Sequence, residues 1–377
     1  MKIALIGSGI SSIGAMMSLS QLTDISVDHY LGCSSKNSFN YKYVNGQPAS
    51  SLSVGGLSQH WHGVIPITNY HRSIVNFDRL FNHFYPKNLV DNYDLFVPLR
   101  PLRGWVQMKK NSSIFKGNYK NILDLVIQVE RAGLRWKVQC TAGQDSYDLV
   151  ILCAGDIETL KILGIKPSSA ELYDHVNGYL GTAENTNFDP KLETCLTLHG
   201  HSKKIFSETS SSIFMSRPVV SKKTNINALA QINYGLTKSG VIADLLKNLN
   251  VNKLNEAFYN RFGVRCLKEN TSSLHFQKTV KVRLDETNKE LFLCFEKSMF
   301  DEMLATSGPL SSIKGFNPSA SNYYPGTHIR AKLPVSYDLG KNMITGLLDR
   351  QDVMSPYHHS FVKLVTTFNR VQGFFGV

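Results

Sequence analysis

Ile3-Ala4-Leu5-Ile6-Gly7-Ser8-Gly9-Ile10-Ser11-Ser12-Ile13-Gly14 is the stretch whose reading fixes the fold class. Four apolar residues run unbroken into a glycine-rich turn, after which Ile10, Ile13, Met16, Met17 and Leu22 recur at roughly helical spacing. Strand, tight turn and helix are predicted. The turn reads Gly7-x-Gly9-x-x-Ser12, with Gly14 two further on, where a dinucleotide fingerprint has Gly or Ala in the third place. Gly7 permits the turn, Gly9 lets backbone approach a pyrophosphate, and Ser12 is small enough for close packing. The amides of the helix start add partial positive charge. A second strand, Ile25 to Tyr30, is expected to carry an acidic residue for the adenosine ribose about 20 residues on from the motif. Asp28 is the candidate there, with His29 and Tyr30 in the alternative alignments.

Working outward, the chain has 377 residues, room for two or three domains with a sizeable core. Hydrophobic residues make up 42% and charged residues 19%, a globular composition that excludes a disordered chain. The longest apolar runs, such as Leu149 to Ala154, are strand-sized and far short of the ~20 residues of a membrane-spanning helix. Lys and Arg outnumber Asp and Glu by 41 to 29, but the basic residues occur as scattered pairs such as Lys109-Lys110 and Lys203-Lys204. A solvated basic surface is expected, and no nucleic acid partner. The six cysteines show no CxxC pair or zinc spacing, so no metal is expected. Reduced cysteines in apolar segments and the lack of a small-residue cleavage site after Ile6 predict a cytoplasmic protein.

A second segment fits no amphipathic period: Val54-Gly55-Gly56-Leu57-Ser58-Gln59-His60-Trp61-His62-Gly63-Val64-Ile65-Pro66. It resembles the flavin-contacting segment of the glucose-methanol-choline (GMC) oxidoreductases, and most closely the Gly-Gly-x-Ser-x-His-Trp form of pyranose 2-oxidase-like members. Asp148 to Leu163, with Ala154-Gly155 at its centre, resembles the family's strand ending in Ala-Gly and the helix start after it. Tyr323-Tyr324-Pro325-Gly326-Thr327-His328 resembles its Gly-Thr motif, and Leu348-Asp349 through His358-His359-Ser360 its last flavin turn. The four motifs stand in the family's order.

The resemblance implies an α/β fold: a discontinuous Rossmann-like FAD-binding domain (1–165 and 310–377) and an α+β substrate, or cap, domain (166–309). It implies FAD held by Gly7, Gly9, Ser12, Asp28, Gly55, Gly56, Ser58, His60, Trp61, Ala154, Gly155, Asp349 and Ser360. In some pyranose oxidase-like members the histidine equivalent to His60 is joined covalently to the flavin, which leaves covalent and non-covalent binding both open here. Phe361, Leu364, Val365, Phe368 and Val371 recur at helical spacing, so Ser360 to Val371 is expected to be a helix packed by one face, its start turned to the cofactor.

The implied activity is oxidation of a CH–OH group of a sugar, polyol or carrier-linked glycan by hydride transfer to flavin. That chemistry needs a base for the hydroxyl proton. Tyr323 stands where the family's usual catalytic histidine falls, three residues before Gly326. His359 falls at the family's second His/Asn position, with His358 as the one-residue slip. The expected roles are base or alkoxide stabiliser for His359 and a supporting hydrogen bond for Tyr323. A nicotinamide-dependent dehydrogenase and a non-redox flavin-binding scaffold are the competing readings. In the middle, Leu192 to Leu198, Ser212 to Val219 and Gln277 to Val282 alternate like strands, and Ile242 to Phe258 has helical spacing. The cap is short for the family, which implies an open site or one completed by a partner chain; the electron acceptor is undefined.

Overall fold

The computed structural model describes residues 1–33, 38–60, 65–66, 69–85, 95–96, 102, 115–184, 216–220, 227–234, 271–295, 314–315, 323–326, 328–334, 337, 339–348 and 360–377. Its first layer is a five-stranded, wholly parallel sheet in the order Met343–Thr345, Leu149–Leu152, β1 (Lys2–Ile6), β2 (Ser26–Tyr30) and Asn118–Ile122. The unbroken apolar runs at Ile3 to Ile6 and Leu149 to Leu152 are what such a sheet requires, because both of its faces are covered. All eight of these residues are buried.

Helix α1 (Ile10–Leu19) leaves β1 through Gly7 to Gly9 and crosses to β2, giving the strand, turn and helix that the sequence predicts. It is buried on nearly every side, and on one of them lies the C-terminal helix (Ser360–Phe375). Gly14 makes that contact possible, since a Cβ there would sit 2.1 Å from the carbonyl oxygen of Leu364. The close helix contact expected of Ser12 therefore belongs to Gly14. Ser12 is buried as well, but its hydroxyl donates to the carbonyl of Gly9 at 2.6 Å.

An antiparallel meander, Val126–Ala132, Arg135–Cys140 and Gly143–Tyr147, lies in the chain between the parallel strands Asn118–Ile122 and Leu149–Leu152. Trp136, Val138 and Tyr147 turn inward from it to the core that contains Ala4, Tyr30 and Val150.

The second layer is a mostly antiparallel sheet built on two long partners, Glu171–Glu184 and Thr271–Asp285. Asn227–Tyr234 and Ser216–Val220 extend it on one side. The expected strands at Ser212 to Val219 and Gln277 to Val282 fall within or across these elements, whereas Leu192 to Leu198 and Ile242 to Phe258 lie outside the described residues. Chain from both ends also joins this sheet. Lys42–Tyr43 pairs in parallel with Glu290–Leu293, and Tyr323–Pro325 and Arg330–Lys332 pair with Glu171–Glu184. The fold is thus α/β, with a Rossmann-like layer against a larger antiparallel sheet. No described helix is long and apolar enough to cross a membrane.

Candidate active site

The turn after β1 is held from three directions. Gly7 has φ +99°, and a Cβ there would lie 2.3 Å from the carbonyl oxygen of Cys153, so the backbones of the two central strands touch at this point. Its N–H donates to Tyr30 O at 2.8 Å. Ser8 Oγ donates to Leu31 O at 2.6 Å and accepts from the N–H of Gly55 at 2.7 Å, which ties the turn to the Gly55-Gly56 segment. Gly9 then caps α1 without a side chain, and its Cβ position meets no atom within 4 Å. The first amides of α1 therefore open onto a space with no atom close to the Gly9 Cβ position.

That space is a cleft of about 1320 Å³, its mouth included. Gly7, Gly9, Gly56, Ser58, Ala154, Gly155 and Ser360 all line it, although they come from four distant parts of the sequence. Gly155 repeats the device of Gly9: it sits at φ +84°, caps the helix Asp156–Ile162, and has open space at its Cβ position. Gly55 lies one residue back from the wall, where its carbonyl accepts from the Ser58 hydroxyl. His60 ends the short 3-10 turn Gly56–His60 and Tyr323 begins the strand Tyr323–Pro325, but their side chains lie outside what is described. Trp61, Asp349, His358 and His359 lie wholly outside the described residues.

Asp28 is not brought to the cleft. Its carboxylate accepts from the Tyr147 hydroxyl at 2.9 Å and lies 3.6 Å from Lys2 Nζ. The reason is strand geometry. Asp28 sits mid-strand, and it is Tyr30, Leu31 and Gly32, at the end of β2, that reach the cleft. Among the described residues, three carboxylates border it: Asp124, Asp156 and Glu158. Asp156 is committed to the Lys363 ammonium and the N–H of Ala331, and Glu158 to Asn40, Ser50 and Lys161. Asp124 stands on the β2 side, oriented by the Thr141 hydroxyl and by the N–H groups of Leu125 and Ala142. Desolvation is the largest single influence and raises its pKa, but these hydrogen bonds and one from Cys140 together outweigh it and hold the value at about 2.

A buried polar cluster underlies the Ser360 end of the cleft. Asp174 has no exposed surface; it accepts from the Tyr43 hydroxyl and from the backbone N–H groups of His175 and His328, at 2.7 and 3.1 Å. Burial raises its pKa to about 6, against the hydrogen bond from Tyr43 and the positive charge of Arg330. Burial also lowers Arg330 to about 10 and drives His175 well below the ordinary imidazole range. The rings of His175 and His328 stack with centroids 5.1 Å apart, and Nδ1 of His328 lies 3.2 Å from Ser360 Oγ. Of this cluster only His328 and Ser360 figured in the sequence reading. Asp174 and His175 did leave a trace, as two polar residues inside the apolar run Leu172 to Val176.

His29 is a further residue that spacing rules do not find. It is fully buried, its Nε2 lies 2.7 Å from Gly7 O and its Nδ1 2.6 Å from the Tyr119 hydroxyl. A carbonyl only accepts, so Nε2 carries the proton that faces Gly7. Desolvation lowers its pKa from 6.5 to about 4, opposed by the bond to Gly7. The unfolded chain therefore binds more protons than the folded one between these values. The neutral ring contributes stability that is complete above pH 6.5 and is lost as pH falls toward 4, about 3 kcal/mol in all. His29→Gln keeps a donor for Gly7 but cannot titrate. Denaturant melts should show the wild-type advantage over His29→Gln shrinking between pH 7 and pH 4.5; a constant difference would contradict the assignment.

No family profile matches the sequence, and neither does any curated protein. Among solved structures the chain is similar to pyridoxine 4-oxidase from Mesorbium loti, a GMC oxidoreductase, at TM-score 0.55 and 10% identity over 100% of this chain and 99% of that one. CtdE, solved in complex with FAD and a substrate, overlaps 98% of this chain and 79% of its own at TM-score 0.41 and 8% identity. The halogenase PltM overlaps 98% and 67% at TM-score 0.36 and 11% identity. The likeness to pyridoxine 4-oxidase is one of fold over the full length of both chains.

Proposed function

We propose that this chain, folded as a GMC-like flavoprotein, is an FAD-dependent oxidoreductase that oxidises a CH–OH group of a sugar, polyol or carrier-linked glycan. The observation that carries the reading is the cleft, where an uncapped helix start and two glycines without neighbours at Cβ leave the backbone open to a ligand. A dinucleotide fits that chemistry: the amides of α1 suit a pyrophosphate, and a side chain at Gly9 or Gly155 would take the space. Asp124 is the carboxylate we assign to the adenosine ribose in place of Asp28. When bound, FAD supplies the hydride acceptor that amino-acid side chains lack.

The chain's own part is to hold, orient and handle protons. Ser360 opens the C-terminal helix at the cleft, so the positive end of that helix favours negative charge there. His359 as base or alkoxide stabiliser, with Tyr323 in support, is proposed from their places in the family motifs, with His358 one residue out of register. The division into an FAD domain (1–165 and 310–377) and a cap (166–309) is proposed on the same ground. Acid precipitation tests covalent attachment at His60: colour should stay with the pellet if the bond exists and pass to the supernatant if it does not.

Anaerobic mixing with panels of sugars, polyols and carrier-linked glycans tests the activity. At least one should bleach the oxidised-flavin band. Colour that persists while a ligand binds measurably would overturn the oxidoreductase reading in favour of a non-redox scaffold.

A further inference from the structure

His328 lines the cleft, yet the motif that precedes it gives it no role. Its position is fixed at three points. Its backbone N–H is tied to the buried carboxylate of Asp174, its ring lies on that of His175 at an interplanar angle of 25°, and its Nδ1 meets Ser360 Oγ. His175 is itself clamped: its carbonyl accepts from the N–H of Gly326 at 2.7 Å, and its ring occupies the space a Cβ on Gly326 would need. Three segments distant in sequence thus converge to hold one imidazole at the wall of a cleft. Orientation of that kind is what a proton-transfer group requires.

We propose that His328, and not His359, is the residue of this cleft that takes the proton from the substrate hydroxyl, which leaves His359 the alkoxide-stabilising role, and that Asp174 and His175 are the positioning residues of His328. The proposal rests on the oxidoreductase reading. In this assignment Nδ1 carries the resting proton and donates it to Ser360 Oγ, so the lone pair of Nε2 is the acceptor. As the O–H bond breaks, its proton passes to Nε2 and its electron pair becomes the second C–O bond. The C–H hydrogen leaves with its pair as hydride to oxidised flavin, which is the oxidant. A phenol at Tyr323 would be protonated near neutral pH.

His328→Gln and His328→Asn provide the test, each checked first for FAD content and melting temperature. With these unchanged, flavin reduction by a substrate that bleaches the wild type should slow by roughly two to four powers of ten. Added imidazole should restore part of the rate to His328→Ala, which a packing role would not allow. A second measurement uses the wild-type holoenzyme. Diethyl pyrocarbonate should inactivate it, substrate should protect it, and mass spectrometry should find the protected modification on His328. Wild-type reduction rates in both amide variants, or inactivation with His328 unmodified, would overturn the assignment. Failure of every panel member to reduce the wild type would overturn the oxidoreductase reading, and this role with it.

Discussion

Gly7→Ala is expected to cost the fold about 2 to 5 kcal/mol, from a side chain forced into the left-handed region and from overpacking against a neighbouring strand. Both terms trace to one position. The residue sits at φ +99°, and the new methyl would lie 2.3 Å from Cys153 O and 2.6 Å from Ala154 N, backbone atoms of a central strand and its end that cannot step aside. Gly9→Ala is the informative partner. Gly9 has φ −80° and no atom within 4 Å of its Cβ position, so its stability should fall by no more than about 1 kcal/mol, the N-cap difference between Gly and Ala. The added methyl would nevertheless enter the cleft at the mouth of α1. Denaturant melts and FAD titrations on the two variants should therefore separate: one loses chiefly stability, the other chiefly affinity. Equal FAD affinity in Gly9→Ala and wild type would remove α1 from the account of cofactor binding.

Asp174→Ala should be comparably severe, at about 3 to 5 kcal/mol at pH 8, where the carboxyl is ionised. The substitution strips the acceptor from the Tyr43 hydroxyl and from two buried N–H groups, and removes one of two carboxylates whose charge offsets that of Arg330. Asp174→Asn keeps an acceptor oxygen for the N–H groups of His175 and His328 and should cost less. The order wild type, Asn, Ala in urea midpoints is the expected result. An alanine variant within 1 kcal/mol of wild type, by the usual scale of surface changes, would show that the cluster contributes little.

These two sites differ in how far the sequence discloses them. The turn at Gly7 is legible because everything it needs is local: an apolar strand, glycines at fixed spacing and a helical period. The same holds for Leu149 to Leu152 and for the C-terminal helix, which begins at Ser360 as its spacing predicts and runs on to Phe375. The cluster under the cleft is not local. Tyr43, Asp174 and His328 meet because chain from the two ends adds strands to a sheet whose long members begin at Glu171 and Thr271, and no periodicity encodes that pairing. Asp28 shows a different limit. Counting from the motif identifies the strand, but a strand's faces alternate, and the count landed two residues short of its end. His29, its neighbour on the opposite face, is the residue that reaches the glycine turn.

The account stands on one cofactor, and the visible spectrum of the purified protein after reconstitution tests it most directly. Oxidised-flavin bands, released as FAD on heating, are the predicted result, and Gly9→Ala should show them weakened while remaining folded. A colourless protein that takes up no FAD and binds NAD instead would contradict the proposed function and return the cleft to a nicotinamide-dependent dehydrogenase.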